Sequence, residues 1–235
     1  MSAAEPTDGP LPQIMGFTGL PRFSRPLMVF MIAVPLAWSI LLLFHPNPTR
    51  DIHTGLHHQV TPWLVVHLGT LLGIGLIGVV LTLLVRGVPG RAAAVSRWAV
   101  LPYVLSYGSA EAIQGPATAV LVRYANSVPD PERPTAAGAV QALWDDVVVD
   151  DLIGAPGAVA WLVAVIAAAV AYRRAGAPWG VTILLGAAAV AVIHTPPPGP
   201  IGLGCLAAAV ALIGWQQRVR TPDLRPAAQQ IREAR

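Results

Sequence analysis

The chain has 235 residues, 54% of them hydrophobic and 11% charged, with a net charge of +3, fifteen basic residues that are all arginine, and one cysteine. Apolar residues gathered into long uninterrupted blocks exclude an ordinary soluble domain and read as a polytopic membrane protein. The absence of lysine excludes Schiff-base and lysine-nucleophile chemistry, and the lone Cys205 excludes an internal disulfide.

Residues 1–26, with Glu5, Asp8 and several prolines, read as a cytoplasmic tail. Six apolar blocks follow, at about 27–45, 62–86, 98–124, 155–172, 178–195 and 199–217. Each is long enough for a hydrocarbon layer of roughly 30 Å, which takes about 20 helical residues. Backbone amides in lipid must bond internally, so each block is expected to be a helix. The expected fold is all-α, a six-span transmembrane bundle, with outer loops at 46–61 and 125–154 and a basic tail at 218–235. The first block runs into His45-Pro46 without a small-residue cleavage site, as a retained anchor does.

Arginine sets the expected orientation, since positive charge near span ends stays cytoplasmic. Arg22, Arg25, Arg86, Arg91, Arg97, Arg173, Arg174, Arg218, Arg220, Arg225, Arg232 and Arg235 fall on one side. Only Arg50, Arg123 and Arg133 fall on the other, against seven acids. Both termini are thus expected in the cytoplasm, with the protein in the plasma membrane and the bilayer as its first partner. Topology accounts for the basic excess, so a nucleic-acid partner is rejected. Trp63 and Trp144 are expected at the outer interface, Trp98, Trp179 and Trp215 at the inner one, and Trp38 and Trp161 between helices.

The outer loops differ in character. The first is rich in histidine (His53, His57, His58), and its prolines and glycine argue against a regular helix. In the second, Thr135–Asp151 reads as an amphipathic surface helix with Val140, Leu143, Val147 and Leu152 inward and Asp145, Asp146, Asp150 and Asp151 toward water.

Two groups of residues carry chemistry. In the third span Tyr103, Tyr107, Glu111, Gln114 and Thr118 recur at helical spacing and form a polar stripe, a candidate ligand or proton path. The plainer reading of Glu111 is a neutral carboxyl that ties helices together. Second, His45, His67 and His194 end or enter three spans on the same side, where they can gather in a shallow outward-facing pocket as ligands for Zn, Cu or a haem. On a straight helix Glu111 lies about 16 Å below the outer edge, against 7 to 8 Å for His67, so contact between them needs tilt or a water, and Thr118 lies nearer the His67 level. Gly69 and Gly73, with Gly75 and Gly78, are expected to pack helices closely. The prolines after His194 are expected to hold it at the pocket rim.

His45-Pro46, the WLVVHLG opening of the second span (Trp63–Gly69) and the HTPPPGPIG turn (His194–Gly202) resemble six-span actinobacterial integral membrane proteins. That resemblance implies the architecture and carries no activity. The favoured expectation is a non-enzymatic pocket for a metal, haem or small ligand, in a homodimer or a subunit of a membrane complex. A small proton-coupled transporter using Glu111 and a metal-dependent intramembrane hydrolase are the alternatives.

Overall fold

The computed structural model describes residues 20–219. Most of both expected tails lies outside the described residues, as do Arg220, Arg225, Arg232 and Arg235.

Among the described residues the chain is helical throughout, with no strand. Helix α1 (Arg25–Leu42) starts with Pro26 in its first turn, where a missing N–H costs nothing. The short helix α2 (Ile52–Leu56) follows, and then α3 (Val60–Leu84). Gly90, at φ 100°, makes the left-handed turn into the next run. That run comprises α4 (Arg91–Pro102), α5 (Gly108–Ala112) and α6 (Thr118–Ser127), joined by π-helical turns at Tyr103–Tyr107 and Ile113–Ala117. Pro102 precedes the first π turn and Pro116 lies within the second; each removes a donor from the i→i−4 ladder, a known cause of such local rewinding. Helix α7 (Arg133–Trp144), a π segment (Val148–Gly154) and α8 (Ala155–Arg174) come next. Helix α9 (Trp179–Ala187) tightens into a 3-10 turn (Ala188–Val192), and α10 (Pro198–Val219) closes the order.

All six expected blocks are helical, and four helical stretches are long and apolar enough to cross a membrane: Arg25–Leu42, Val60–Leu84, Arg133–Arg174 and Pro198–Val219. The run through Glu111 is long, but its tyrosines, carboxylate and amide dilute its apolar character. Trp179–Val192 is apolar but short.

Two loop expectations need correction. The first loop contains α2, because the Asp51 carboxylate accepts from the Thr54 N–H at 2.9 Å and caps its first turn. This bond holds the exposed Asp51 carboxyl below its usual titration range. In the second loop the amphipathic helix stops at Trp144, because Asp146 Oδ1 accepts from the N–H groups of Val148 and Val149 and starts a new turn. That break turns Val149 inward and leaves Val147 and Leu152 exposed, while Val140 is buried as expected.

Helix α1 packs on α10 and α3, α4 packs on α8, and α9 lies against α8 and α10. Side chains satisfy carbonyls across these seams: Ser96 Oγ donates to Ala164 O at 2.8 Å, Tyr172 Oη to Leu84 O at 2.7 Å, and Ser39 Oγ to Pro200 O at 2.9 Å. Trp38 and Trp161 are buried between helices, and Trp98, Trp179 and Trp215 are exposed. The bundle thus has an arginine end, where Gln217 of α10 bonds the Pro21–Phe23 segment ahead of α1, and a histidine end, where Ser39 meets Pro200.

Two helical runs approach closely at Gly157, where an added Cβ would strike the Tyr107 backbone N. Gly157→Val is expected to cost about 1–3 kcal/mol of stability through overpacking. Gly75 faces open space, and Gly75→Ala should leave the thermal unfolding midpoint in detergent unchanged or slightly raised.

Candidate metal centre

Three chain reversals bring the histidines together. His45 lies three residues beyond α1, its backbone N–H bonded to Leu42 O at 3.1 Å. His67 sits in the early turns of α3, and His194 follows the 3-10 turn after α9. Ring centroids are 4.9 Å apart for His45 and His67, 5.1 Å for His45 and His194, and 6.0 Å for His67 and His194. One nitrogen from each ring lies within 4.8 Å of the other two.

Hydrogen bonding fixes which nitrogen is free. The His45 Nδ1–H donates to Pro46 O at 2.7 Å and the His67 Nδ1–H to Trp63 O at 2.8 Å, since a carbonyl can only accept. The Tyr107 hydroxyl donates to Val192 O at 3.0 Å, so its oxygen accepts from His194 Nδ1–H, also at 3.0 Å. A neutral ring with a proton on Nδ1 carries its lone pair on Nε2. The same second-partner arrangement orients imidazoles that bind metals.

The Glu111 carboxylate lies beside two of the three rings. Its Oε1 lies 3.7 Å from His67 Nε2 and its Oε2 lies 3.9 Å from His194 Nε2. His45 Nε2 and Glu111 Oε1 are buried without a hydrogen-bond partner. Buried polar atoms left in this way are uncommon and costly. His45, His67 and Glu111 are almost fully enclosed, whereas the His194 side chain is 22% exposed, so the cluster opens along that edge.

Glu111 and His67 approach each other although a straight helix sets them at different depths. The two π turns bracket Glu111, widening the run from 3.6 residues per turn and re-aiming its side chains. Gly115, in the second π turn, backs directly onto His67; an added Cβ would lie 2.5 Å from the ring Cδ2. The same rewinding divides the expected stripe. Tyr103 is buried beside Tyr107 and Trp161, and Tyr107 reaches His194. Gln114 instead donates to Asp150 of the neighbouring π segment, and Thr118 Oγ1 donates to Ile113 O of its own run at 3.3 Å. Neither Gln114 nor Thr118 bonds to the histidine cluster.

Trp63 is buried within the bundle rather than exposed at its surface. It is 1% exposed, lies tilted against His67 at 4.0 Å between ring centroids, meets His45 at 5.2 Å and donates to Gly115 O at 3.0 Å. With Ile52 and Leu56 of α2 and Val122 and Ala125 of α6, it builds a second small core over the cluster. The tryptophan's burial depends on α2 folding over it, which residue spacing does not disclose. Gly199 is the other position that sequence reading passed over: an added Cβ would strike the carbonyl of His194, so its absence sets the backbone from which that ring projects.

His53, His57 and His58 form a separate group at the surface. The His57 Nδ1–H donates to Thr54 O at 2.8 Å, and its ring lies 3.6 Å from that of His58. Arg133 shares their pocket, and its positive charge opposes a cation there. The single metal-competent group of histidine, cysteine and acidic residues among the described residues is His45, His67 and His194. Comparison of the chain with protein-family models, with curated proteins and with solved structures finds no match to any of them.

Proposed function

We propose that this chain is a six-span integral membrane protein whose histidine end faces outward and holds one divalent transition-metal ion. His45, His67 and His194 bind through Nε2 and Glu111 through its carboxylate. The observation that carries this reading is that all three Nδ1–H groups are occupied by oxygen acceptors, leaving three Nε2 lone pairs, two of them within 4 Å of the buried Glu111 carboxylate. A set of three neutral imidazoles and one carboxylate suits zinc, and copper binds similar donors. Tetrahedral zinc, with bonds of about 2.0–2.1 Å, sets ligand atoms roughly 3.4 Å apart, so closing the triad takes small side-chain rotations.

The packing favours an ion over a haem. The third imidazole, the Trp63 indole and the Glu111 carboxylate fill the space beside any pair of rings and leave no slot for a porphyrin. The likeness to six-span actinobacterial membrane proteins, the cytoplasmic termini, the plasma membrane and assembly as a homodimer or complex subunit belong to the same proposal.

Proton competition tests it. Imidazoles ordinarily titrate near 6.5, and a bound metal requires them neutral. Cobalt(II) loaded into purified protein is expected to show visible bands of a low-symmetry site at pH 7.5 and to leave as the pH falls below about 6. The loss should be steeper than the tenfold per pH unit of a single proton. Bands that persist to pH 4.5, or never form, would count against the site.

A second reading is proton handling at Glu111 in a small carrier, favoured by the carboxylate's place between two imidazoles. Glu111→Gln separates the two: metal affinity falls under the first reading, whereas pH-dependent transport alone is lost under the second.

A further inference from the structure

We infer that the arginine end of the bundle carries a binding pocket for the phosphate-bearing headgroup of an anionic lipid. The pocket, of about 190 Å³, lies between the start of α1 and the end of α10. Its rim presents three guanidinium groups, Arg22, Arg25 and Arg218, and its floor is Phe23, Met28 and Gly214. Among the described residues no carboxylate lines it, and none of the three arginines forms an ion pair. A concentration of cationic donors over an apolar floor fits a ligand that is anionic at one end and hydrocarbon at the other.

The pocket is built rather than left to mobile side chains. The Gln217 side chain donates to Pro21 O at 2.7 Å and accepts from the Phe23 N–H at 3.3 Å, gripping the backbone on both sides of Arg22. Gly214 gives Met28 room to lie flat, with the thioether 3.0 Å from where a Cβ would stand. The first turn of α1, whose Ser24 cap makes no side-chain hydrogen bond, lies at the same rim and adds the positive end of a helix. The exposed Trp215 follows Gly214 in sequence, and aromatic side chains favour the headgroup level. This inference rests on the membrane-spanning reading but not on the metal centre, which lies at the other end of the bundle.

Native mass spectrometry of the full chain in detergent, titrated with phosphatidylglycerol or phosphatidylcholine, tests the pocket. Preferential binding of phosphatidylglycerol is expected, falling about a hundredfold in a variant carrying Arg22→Gln, Arg25→Gln and Arg218→Gln, since each arginine near the surface contributes about fivefold. A variant carrying Arg86→Gln, Arg91→Gln and Arg174→Gln removes the same charge from the same end and should bind as the parent does. Gln217→Leu keeps every charge, frees the segment around Arg22 and should weaken binding partially. Equal loss in the two triple variants, or no preference between lipids, would overturn the pocket. Displacement of phosphatidylglycerol by millimolar inorganic phosphate would assign it to a soluble anion and overturn the lipid reading.

Discussion

His67→Gln is expected to lower the zinc affinity of the purified protein on the order of a hundredfold. Four-ligand zinc sites in small proteins hold the ion by roughly 10–16 kcal/mol, which puts one ligand at about 3 kcal/mol. His67 is the right ligand to remove because its ring is buried, its Nδ1 is tied to Trp63 O, and its Nε2 faces Glu111. Thermal unfolding provides an independent readout. Zinc at about 100 times its Kd stabilises the parent by about 2.7 kcal/mol, a gain that should fall to about 0.4 kcal/mol in the variant at the same zinc concentration. Both proteins are compared first in chelator, so that any loss of packing is read separately. If zinc protects the variant as fully as the parent, His67 is not a ligand.

Trp63→Ala is expected to have the largest effect on stability, about 3–5 kcal/mol, the usual range for emptying a large aromatic site. Trp63 touches His45, His67 and Trp144 and donates to Gly115 O, so its loss removes both the cover of the cluster and the tie between α3 and the π turn that carries Gly115. Trp63→Phe keeps a ring over His67 but drops the hydrogen bond, and should cost about 1 kcal/mol. Chemical or thermal unfolding in detergent, monitored by circular dichroism, measures both. A Trp63→Ala protein as stable as the parent would show that α2 and α6 do not depend on this contact.

The part of the fold legible in the sequence is what depends on length and apolarity alone. Blocks of about 20 apolar residues became helical, though the third begins seven residues early at Arg91, because backbone amides among apolar side chains have few other ways to be satisfied. The meeting of His45, His67 and His194 was legible in part, since all three were expected near helix ends on one side of the bundle, and packing of those ends brings the rings together. Other features were not legible because they arise where the regular repeat fails. Glu111 and His67 come within 3.7 Å on a run where two π turns interrupt the 3.6-residue spacing on which the depth estimate relied. The same turns carry Gln114 over to Asp150. Pro102, Gly115 and Pro116 were the visible signs of that rewinding. Trp63 looked like a belt residue because it opens a span, and its burial depends on the five-residue helix capped by Asp51. In the second outer loop, one side-chain cap by Asp146 overrode an amphipathic pattern that otherwise continued across it.

X-ray absorption at the zinc edge of the zinc-loaded full chain at neutral pH tests the central claim most directly. The expected spectrum is four-coordinate, with nitrogen and oxygen neighbours at about 2.0–2.1 Å and the multiple scattering of three imidazoles, reduced to two in His67→Gln. A six-coordinate shell of oxygen without imidazole scattering, or a spectrum unaltered by that substitution, would contradict a metal held by His45, His67, His194 and Glu111.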